Sequence, residues 1–213
     1  MDLAAYIDHT VLKPDATSED VRILCSEAKE HQFAAVCVNP CFVDLAAHLL
    51  KGSNVKVATV IGFPLGANLS SVKAFETEQA VLQKADEIDM VINLGAAKLG
   101  LWEAVQADIE AVVTAADGRT VKVIVETGLL NKSEKRRVCE TVLASGAHFI
   151  KTSTGFGPGG ATVEDVALFK SIVGDRIGIK ASGGVRSKED AERMIAAGAT
   201  RIGTSGGVKI VSG

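Results

Sequence analysis

Short runs of apolar residues alternate along the chain with longer segments in which apolar residues recur every three or four positions. The short runs are typical of strands that are buried on both faces. We predict strands over residues 6–12, 34–38, 55–61, 88–93, 121–126, 147–151, 176–181 and 200–204.

Seven helices are predicted between these strands, because the intervening segments place apolar residues at helical spacing. Three of the helices open with a hydroxyl residue three positions before an acid, which is a capping pattern. These pairs are Thr17 and Asp20, Thr162 and Asp165, and Ser187 and Asp190. The third predicted helix spans residues 70–87. The residues that follow one side of it are Val72, Phe75, Gln79 and Leu82.

Strict alternation of strands and helices requires crossover connections and a parallel sheet. Eight such units in 213 residues are near the lower size limit of a (β/α)8 barrel, the TIM-barrel fold. We therefore predict one barrel domain over residues 1–213, with room for little of an eighth helix. The alternative is a doubly wound open sheet. The lack of a Gly-x-Gly-x-x-Gly motif after the first strand disfavours it.

The composition is that of a protein with a large aliphatic core, since 47% of the residues are hydrophobic and only 4% are aromatic. A net charge of -3 and the lack of a basic run argue against nucleic-acid binding. No apolar stretch reaches the roughly 18 residues of a membrane span, and no secretory signal is visible. The four cysteines form no Cys-x-x-Cys pair and lack histidines at zinc-site spacing. We therefore predict a cytoplasmic protein with reduced thiols and no metal or cofactor.

Two lysines stand near the ends of consecutive strands. Lys151 ends the sixth predicted strand, and Lys180 lies near the end of the seventh. With an ordinary pKa of about 10.4, only about one lysine amine in a few thousand is neutral at pH 7. A second ammonium group nearby disfavours the charged form. We predict that Lys151 is an amine nucleophile that forms a Schiff base with a carbonyl substrate, and that Lys180 activates it.

Asp89 lies inside the apolar fourth strand, and a carboxylate that points into a barrel needs a partner. Beside Lys180, this carboxylate would hold a water molecule and transfer a proton. The alternative interpretation is structural: Asp89 would be only an ion-pair partner. Lys151 and Lys180 would then be solvated at the rim or paired with Asp89 and Glu126.

Glycine-rich segments follow the sixth, seventh and eighth predicted strands, at residues 155–160, 182–184 and 203–207. Glycine allows backbone N–H groups to converge on an anion. A phosphate pocket at the loops after strands seven and eight recurs in this architecture. The sequence therefore predicts a phosphorylated substrate.

Several motifs resemble those of the deoxyribose-phosphate aldolases, a family of class I aldolases with a (β/α)8 barrel. They are Ile7-Asp8-His9-Thr10, Glu87-Ile88-Asp89-Met90-Val91, Lys151-Thr152-Ser153-Thr154-Gly155-Phe156 and Lys180-Ala181-Ser182-Gly183-Gly184-Val185-Arg186. The resemblance covers essentially the whole chain.

The resemblance implies reversible cleavage of 2-deoxy-D-ribose 5-phosphate to acetaldehyde and D-glyceraldehyde 3-phosphate, without a metal. It implies that Lys151 forms the Schiff base, that Lys180 perturbs it, and that Asp89 relays a proton with Lys180. The residues implied to contact substrate hydroxyls are Asp8, Thr10 and Thr152. Those implied to surround the phosphate are Gly155, Gly183, Gly184, Ser205 and Gly206. A homodimer or homotetramer is also implied.

One feature departs from this family. The chain ends at Gly213, whereas family members commonly continue further, some with a tail that reaches the active site. This difference bears on stability, on order in the phosphate loops and on full activity. The residues alone leave two other functions open. One is an isomerase or synthase that uses Asp89 and Glu126 for acid–base catalysis, and the other is a non-catalytic barrel that binds sugar phosphates.

Overall fold

Eight parallel strands form a closed barrel in the computed structural model, which describes residues 2–213. The strands pair in chain order, and the last pairs with the first. They are β1 (Ile7–Val11), β2 (Ala35–Val38), β3 (Lys56–Ile61), β4 (Glu87–Val91), β5 (Thr120–Ile124), β6 (Phe149–Lys151), β7 (Gly178–Ser182) and β8 (Arg201–Thr204). The predicted (β/α)8 architecture is confirmed.

Helices follow every strand. They are α1 (Ser18–Glu30), α2 (Val43–Leu49), α3 (Ser70–Leu82), α4 (Leu94–Lys98), α5 (Trp102–Ala115), α6 (Lys132–Ala144), α7 (Val163–Val173), α8 (Lys188–Ala196) and α9 (Gly207–Ser212). Short 3-10 helices occur at Ala4–Tyr6, Pro40–Phe42 and Thr127–Leu129. The sequence-based prediction lacked α4 and the six-residue α9. None of the helices in residues 2–213 has the length and apolar character needed to cross a membrane.

The three predicted capping pairs are present. The side chains of Thr17, Thr162 and Ser187 each accept a hydrogen bond from the backbone N–H three residues later. This satisfies N–H groups that the first helical turn leaves unpaired.

The main core lies between the strands and the surrounding helices, because each barrel strand buries one face against helices and the other inside the barrel. A separate apolar cluster lies inside the barrel, on the faces of β2 and β3 that point away from the helices. It consists of Leu12, Ala35, Cys37, Ala58 and Val60. One side of the barrel interior is therefore apolar, and charged groups occupy the other side.

The side of helix α3 that carries the apolar pattern faces outward, and the opposite side is buried. Phe75 is 61% exposed and Leu82 is 74% exposed, while Lys73 and Thr77 are buried. The Lys73 ammonium is paired with Asp108 of α5 at 2.6 Å and donates to the Val91 carbonyl at 2.9 Å. These partners offset the cost of burying a charge, so the inner face of α3 can be polar.

Two predicted boundaries are wrong near the site. The third helix ends at Leu82 rather than at residue 87, because Lys84 has a φ of +73° and breaks the helix. Glu87 therefore belongs to β4. The fifth strand ends at Ile124, and Glu126 lies beyond it with a φ of +50°.

Candidate active site

The two lysines singled out in the sequence point to one carboxylate. Lys151 lies directly opposite Lys180 in the pairing of β6 with β7. The Nζ atoms of both residues lie 2.7 Å from the same oxygen, Oδ2 of Asp89 in β4. The two nitrogens are therefore no farther apart than twice that distance.

These three side chains belong to a larger buried ion cluster, which we call the barrel cluster. Its other members are Asp8, Glu87, Lys122 and Arg201. Nζ of Lys122 lies 2.6 Å from Oε2 of Glu87 and 2.8 Å from Oδ1 of Asp89. Nζ of Lys180 lies 2.5 Å from Oδ2 of Asp8. Arg201 donates to both Asp8 and Glu87.

The strand register brings these residues together. Asp89 lies opposite Lys122 across β4 and β5, and Lys180 lies opposite Arg201 across β7 and β8. Residues two positions apart point to the same face of a strand, so Glu87 and Asp89 share the inward face. Gly203 provides the space on β8, because a Cβ atom there would lie 3.0 Å from Cε of Lys180.

The charges in the barrel cluster explain which lysine can be neutral. Burial disfavours every ion here, but the cations hold the pKa of Asp89 well below its usual range, with Lys122 contributing most. Burial alone would lower the pKa of Lys180, but the Asp8 and Asp89 carboxylates outweigh it, so this pKa is raised. Lys122 and Arg201 also have raised pKa values, because neighbouring carboxylates outweigh burial.

The pKa of Lys151 shifts in the opposite direction from those of the other three basic side chains. Burial, which is the strongest influence, lowers the pKa of Lys151. The Lys180 ammonium acts in the same direction, and the Asp89 carboxylate opposes both. Three carboxylates face four basic side chains, so the three cations with raised pKa values balance the carboxylates and Lys151 is the surplus base. The sequence predicts partial burial and the Lys180 charge as the two causes of this lowered pKa, and burial is the larger of the two.

A cavity of about 490 Å³ opens above Lys151, which is 3% exposed. Most of the residues that the resemblance assigned to substrate binding line this cavity. They are Thr10, Gly155, Gly183, Gly184, Ser205 and Gly206. Lys180 and Asp89 are fully buried and are not part of the cavity lining.

Asp8 and Thr152 do not line the cavity, in contrast to the substrate contacts that the resemblance implied. Asp8 is buried in the barrel cluster with Lys180 and Arg201. The Thr152 hydroxyl donates to the Ser182 carbonyl and accepts from the Ser182 N–H. Both side chains thus support the residues that reach the cavity.

The sequence reasoning missed six charged residues of the site. Glu87, Lys122 and Arg201 complete the barrel cluster, and Lys13, Arg186 and Lys209 line the cavity. One signal was available for Lys122, since it stands between apolar residues in a strand, as Asp89 does. Arg201 and Lys209, which belong to the eighth unit, gave no such signal, because only the closed barrel places them beside the other groups.

Residues 2–213 contain no group of three or more His, Cys, Asp or Glu side chains arranged to hold a metal ion. Cys37 is fully buried beside the barrel cluster, and burial raises the pKa of its thiol. This thiol is therefore in its neutral form at neutral pH.

A buried lysine with a lowered pKa, at a strand end beneath a cavity bordered by glycine loops, is typical of barrel enzymes that use an amine nucleophile. The chain belongs to the DeoC/LacD family of aldolases, whose family model matches residues 3–211. The resemblance found in the sequence motifs is thereby confirmed.

Similar proteins from several organisms support this membership. The chain is 59% identical to the deoxyribose-phosphate aldolase of Staphylococcus epidermidis, over all of this chain and 97% of that protein. It is 56% identical to the enzyme of that name from Deinococcus radiodurans, with the same coverage. Among solved structures, the tetrameric deoxyribose phosphate aldolase of Aeropyrum pernix superposes with a TM-score of 0.92. That comparison has 36% identity and covers 99% of this chain and 89% of the other.

Proposed function

We propose that this protein is a class I aldolase that reversibly cleaves 2-deoxy-D-ribose 5-phosphate to acetaldehyde and D-glyceraldehyde 3-phosphate through a Schiff base on Lys151. The observation that carries the proposal is the Lys151 amine, whose pKa is lowered and which faces the cavity. The relatives named as deoxyribose-phosphate aldolases support the choice of substrate.

In the cleavage direction, the neutral Lys151 amine adds to the aldehyde carbon C1 of the sugar, and water is lost to form a protonated imine. This cation withdraws electrons, so the bond between C2 and C3 breaks as the C3 hydroxyl loses its proton. D-Glyceraldehyde 3-phosphate leaves. The remaining enamine is protonated on its terminal carbon and then hydrolysed to acetaldehyde and free Lys151.

In this proposed reaction, Asp89 and Lys180 transfer the protons. Asp89 Oδ2 is shared between the reacting amine and the Lys180 ammonium, each at 2.7 Å. A proton can therefore pass from one nitrogen toward the other through one carboxylate oxygen. Lys180 also keeps a positive charge beside Lys151, which favours the neutral amine before reaction.

The lining of the cavity also suits a phosphate. Gly183 and Gly184 both have positive φ values, which turn the backbone at the cavity wall. The Lys13, Arg186 and Lys209 side chains supply positive charge to the same cavity. Backbone N–H groups together with cations are the usual partners of a phosphate in proteins.

The alternative functions have less support. An acid–base isomerase was expected to use Glu126 with Asp89, but Glu126 lies outside the cavity lining and bonds to Thr154. Asp89 does not line the cavity either, and its carboxylate is paired with three lysines, so it has no direct access to a bound substrate. A non-catalytic barrel would not need a buried amine with a lowered pKa facing its cavity.

Borohydride trapping tests the proposed function. The protein is incubated with acetaldehyde, reduced with sodium borohydride, digested and mapped by mass spectrometry. We expect a stable ethyl adduct on Lys151. Lys122 and Lys180 act as internal controls, because both are buried lysines whose pKa values are raised and which should stay unmodified.

Two results would contradict the proposal. One is the absence of any adduct on Lys151, with turnover of another phosphosugar pointing to the isomerase class. The other is an adduct confined to a different lysine. A Lys151→Met variant keeps an uncharged side chain of similar length but has no amine to form an imine, and it should lose both the adduct and cleavage of the sugar phosphate.

We also infer that the protein is a homo-oligomer, in which a second copy covers the outward face of α3. This face and the loop before it expose large apolar side chains, and solvent exposure of such a patch is unfavourable. The exposed residues are Leu65, Leu69, Val72, Phe75 and Leu82. The tetramer found for the Aeropyrum pernix relative supports this inference.

The mass in solution tests this assembly. Light scattering after size exclusion should give a multiple of the 22.2 kDa chain mass. Phe75→Glu should shift the mass toward the monomer, because it places a charge in an apolar interface. Ile23→Glu, at an exposed residue of α1, is the matched control and should keep the oligomer. A monomeric wild-type protein, or no effect of Phe75→Glu, would refute the inference.

We further propose that residues 1–213 form one domain and that the protein acts in the cytoplasm. The closed barrel running from Ile7 to Thr204 supports a single unit. Four free cysteines, three of them buried, suit a reducing compartment.

A further inference from the structure

Glu126 is a buried carboxylate that the chemistry at Lys151 does not use. It follows β5, is 2% exposed, and has a φ of +50° and a ψ of +69°. A residue with a side chain adopts this left-handed conformation rarely, and keeps it where surrounding contacts enforce it. Within residues 2–213 it forms no ion pair, unlike the acids of the barrel cluster.

The Glu126 side chain holds the loop that follows β6. Its Oε2 atom accepts a hydrogen bond from the Thr154 N–H at 3.2 Å and a second one from the Thr154 hydroxyl. The same hydroxyl accepts a hydrogen bond from the Phe156 N–H at 3.0 Å. One carboxylate oxygen thus fixes the turn formed by residues 154–156.

Glycines allow this loop to rest directly on the residues after β5. A Cβ atom on Gly157 would lie 2.7 Å from the carboxyl carbon of Glu126. A Cβ atom on Gly128 would lie 1.7 Å from the Pro158 carbonyl oxygen. A side chain at position 128 would collide with the backbone, and one at position 157 would displace the Glu126 carboxylate, so the two glycines let the loop pack against Glu126 and the turn after it.

The loop held in this way is also a wall of the substrate cavity. Thr154, Gly155 and Phe156 line the cavity together with Lys151. Lys151 itself is positioned separately, because it lies in β6 and is bonded to Asp89. The position of the wall can therefore change without moving the reacting amine.

We propose that Glu126 is a positioning residue that fixes loop 154–160 and thereby shapes the cavity for the phosphorylated substrate. This proposal rests on the proposed aldolase function. Because Glu126 acts through Thr154 and the loop, its loss weakens binding of the sugar phosphate. It leaves Schiff-base formation with acetaldehyde unchanged, since this small aldehyde needs only the amine.

Steady-state kinetics of three variants test the proposal. Glu126→Ala should raise KM for 2-deoxyribose 5-phosphate about ten- to hundred-fold, the range expected for losing hydrogen bonds to a charged acceptor. Its kcat and the rate of acetaldehyde trapping on Lys151 should stay within about threefold of wild type, since losses of one catalytic proton transfer are at least about a hundredfold. Thr154→Val should also raise KM. Glu126→Gln keeps an oxygen acceptor and should restore most of the wild-type KM.

Glu140→Ala is the control for removal of an acid, because Glu140 is exposed on α6, and it should leave KM unchanged. An unchanged KM in Glu126→Ala, or an equal loss of acetaldehyde trapping in a folded variant, would overturn the positioning role. If Glu126→Ala does not fold, Thr154→Val and Glu126→Gln decide: an unchanged KM in Thr154→Val overturns the role. Failure of trapping in the wild-type protein would instead refute the aldolase function.

Discussion

Replacing Lys180 by leucine is expected to move Schiff-base formation at Lys151 to higher pH and to slow it steeply at pH 7. The substitution removes a cation that lowers the pKa of Lys151, while the Asp89 carboxylate that raises it remains. Each unit by which that pKa rises lowers the neutral fraction of the amine tenfold. Loss of the proton transfer through Lys180 lowers turnover further, by about 10²- to 10⁴-fold.

The measurement is the rate of borohydride-trapped adduct on Lys151 as a function of pH. Lys56→Leu is a suitable control, because Lys56 is an exposed lysine at the start of β3. The control should reproduce the wild-type pH profile. A Lys180→Leu protein that folds and forms the imine at the wild-type rate at neutral pH would eliminate Lys180 as the activator.

Replacing Lys122 by methionine is expected to lower the free energy of unfolding by about 3–5 kcal/mol, the usual cost of removing one partner from a buried ion pair. Lys122 is fully buried and lies within 2.8 Å of oxygens of both Glu87 and Asp89. Without it, three carboxylates share fewer cations inside the barrel. Urea unfolding of wild type and variant measures the difference.

The matched variant combines Lys122→Met with Glu87→Gln, which removes one positive and one negative charge together. This pair should recover part of the lost stability, because the charge of the barrel cluster is balanced again. The destabilisation should also shrink at acid pH. The pKa of Asp89 is lowered by folding, so its stabilising contribution is present above about 3.9, the ordinary value, and is lost as the pH falls toward the folded value. An unchanged unfolding midpoint in Lys122→Met would show that the cluster does not contribute to stability.

The buried cluster shows why a residue's role depends on the whole barrel. Lys122, Lys151 and Lys180 are chemically identical and all contact Asp89. Lys122 and Lys180 also contact other carboxylates, and their pKa values rise. Within residues 2–213, Lys151 is paired with Asp89 alone, so burial outweighs the effect of this single carboxylate and the pKa of Lys151 is lowered. The number of carboxylates within reach therefore distinguishes the proposed nucleophile from the lysines that surround it.

Helix α3 shows a limit of periodicity. Its pattern correctly predicted a helix, because the spacing of apolar residues depends on local geometry. The same pattern did not reveal which side faces the barrel. Lys73 is buried because Asp108, 35 residues further along the chain, pairs with it, and no local pattern contains that partner.

The pattern of residues along the chain was enough to predict the eight alternating units, and with them the parallel barrel, since periodicity and capping act over a few residues. The sequence also singled out Lys151, Lys180 and Asp89 as candidate site residues, because a charged residue in an apolar strand stands out from its immediate neighbours, and the structure brings these three side chains together. The closed barrel was needed to show that Glu87, Lys122 and Arg201 join them, that Asp8 is buried in the barrel cluster, and that Glu126 holds a loop. Those roles depend on distances between strands far apart in the chain, which are fixed only when the barrel closes.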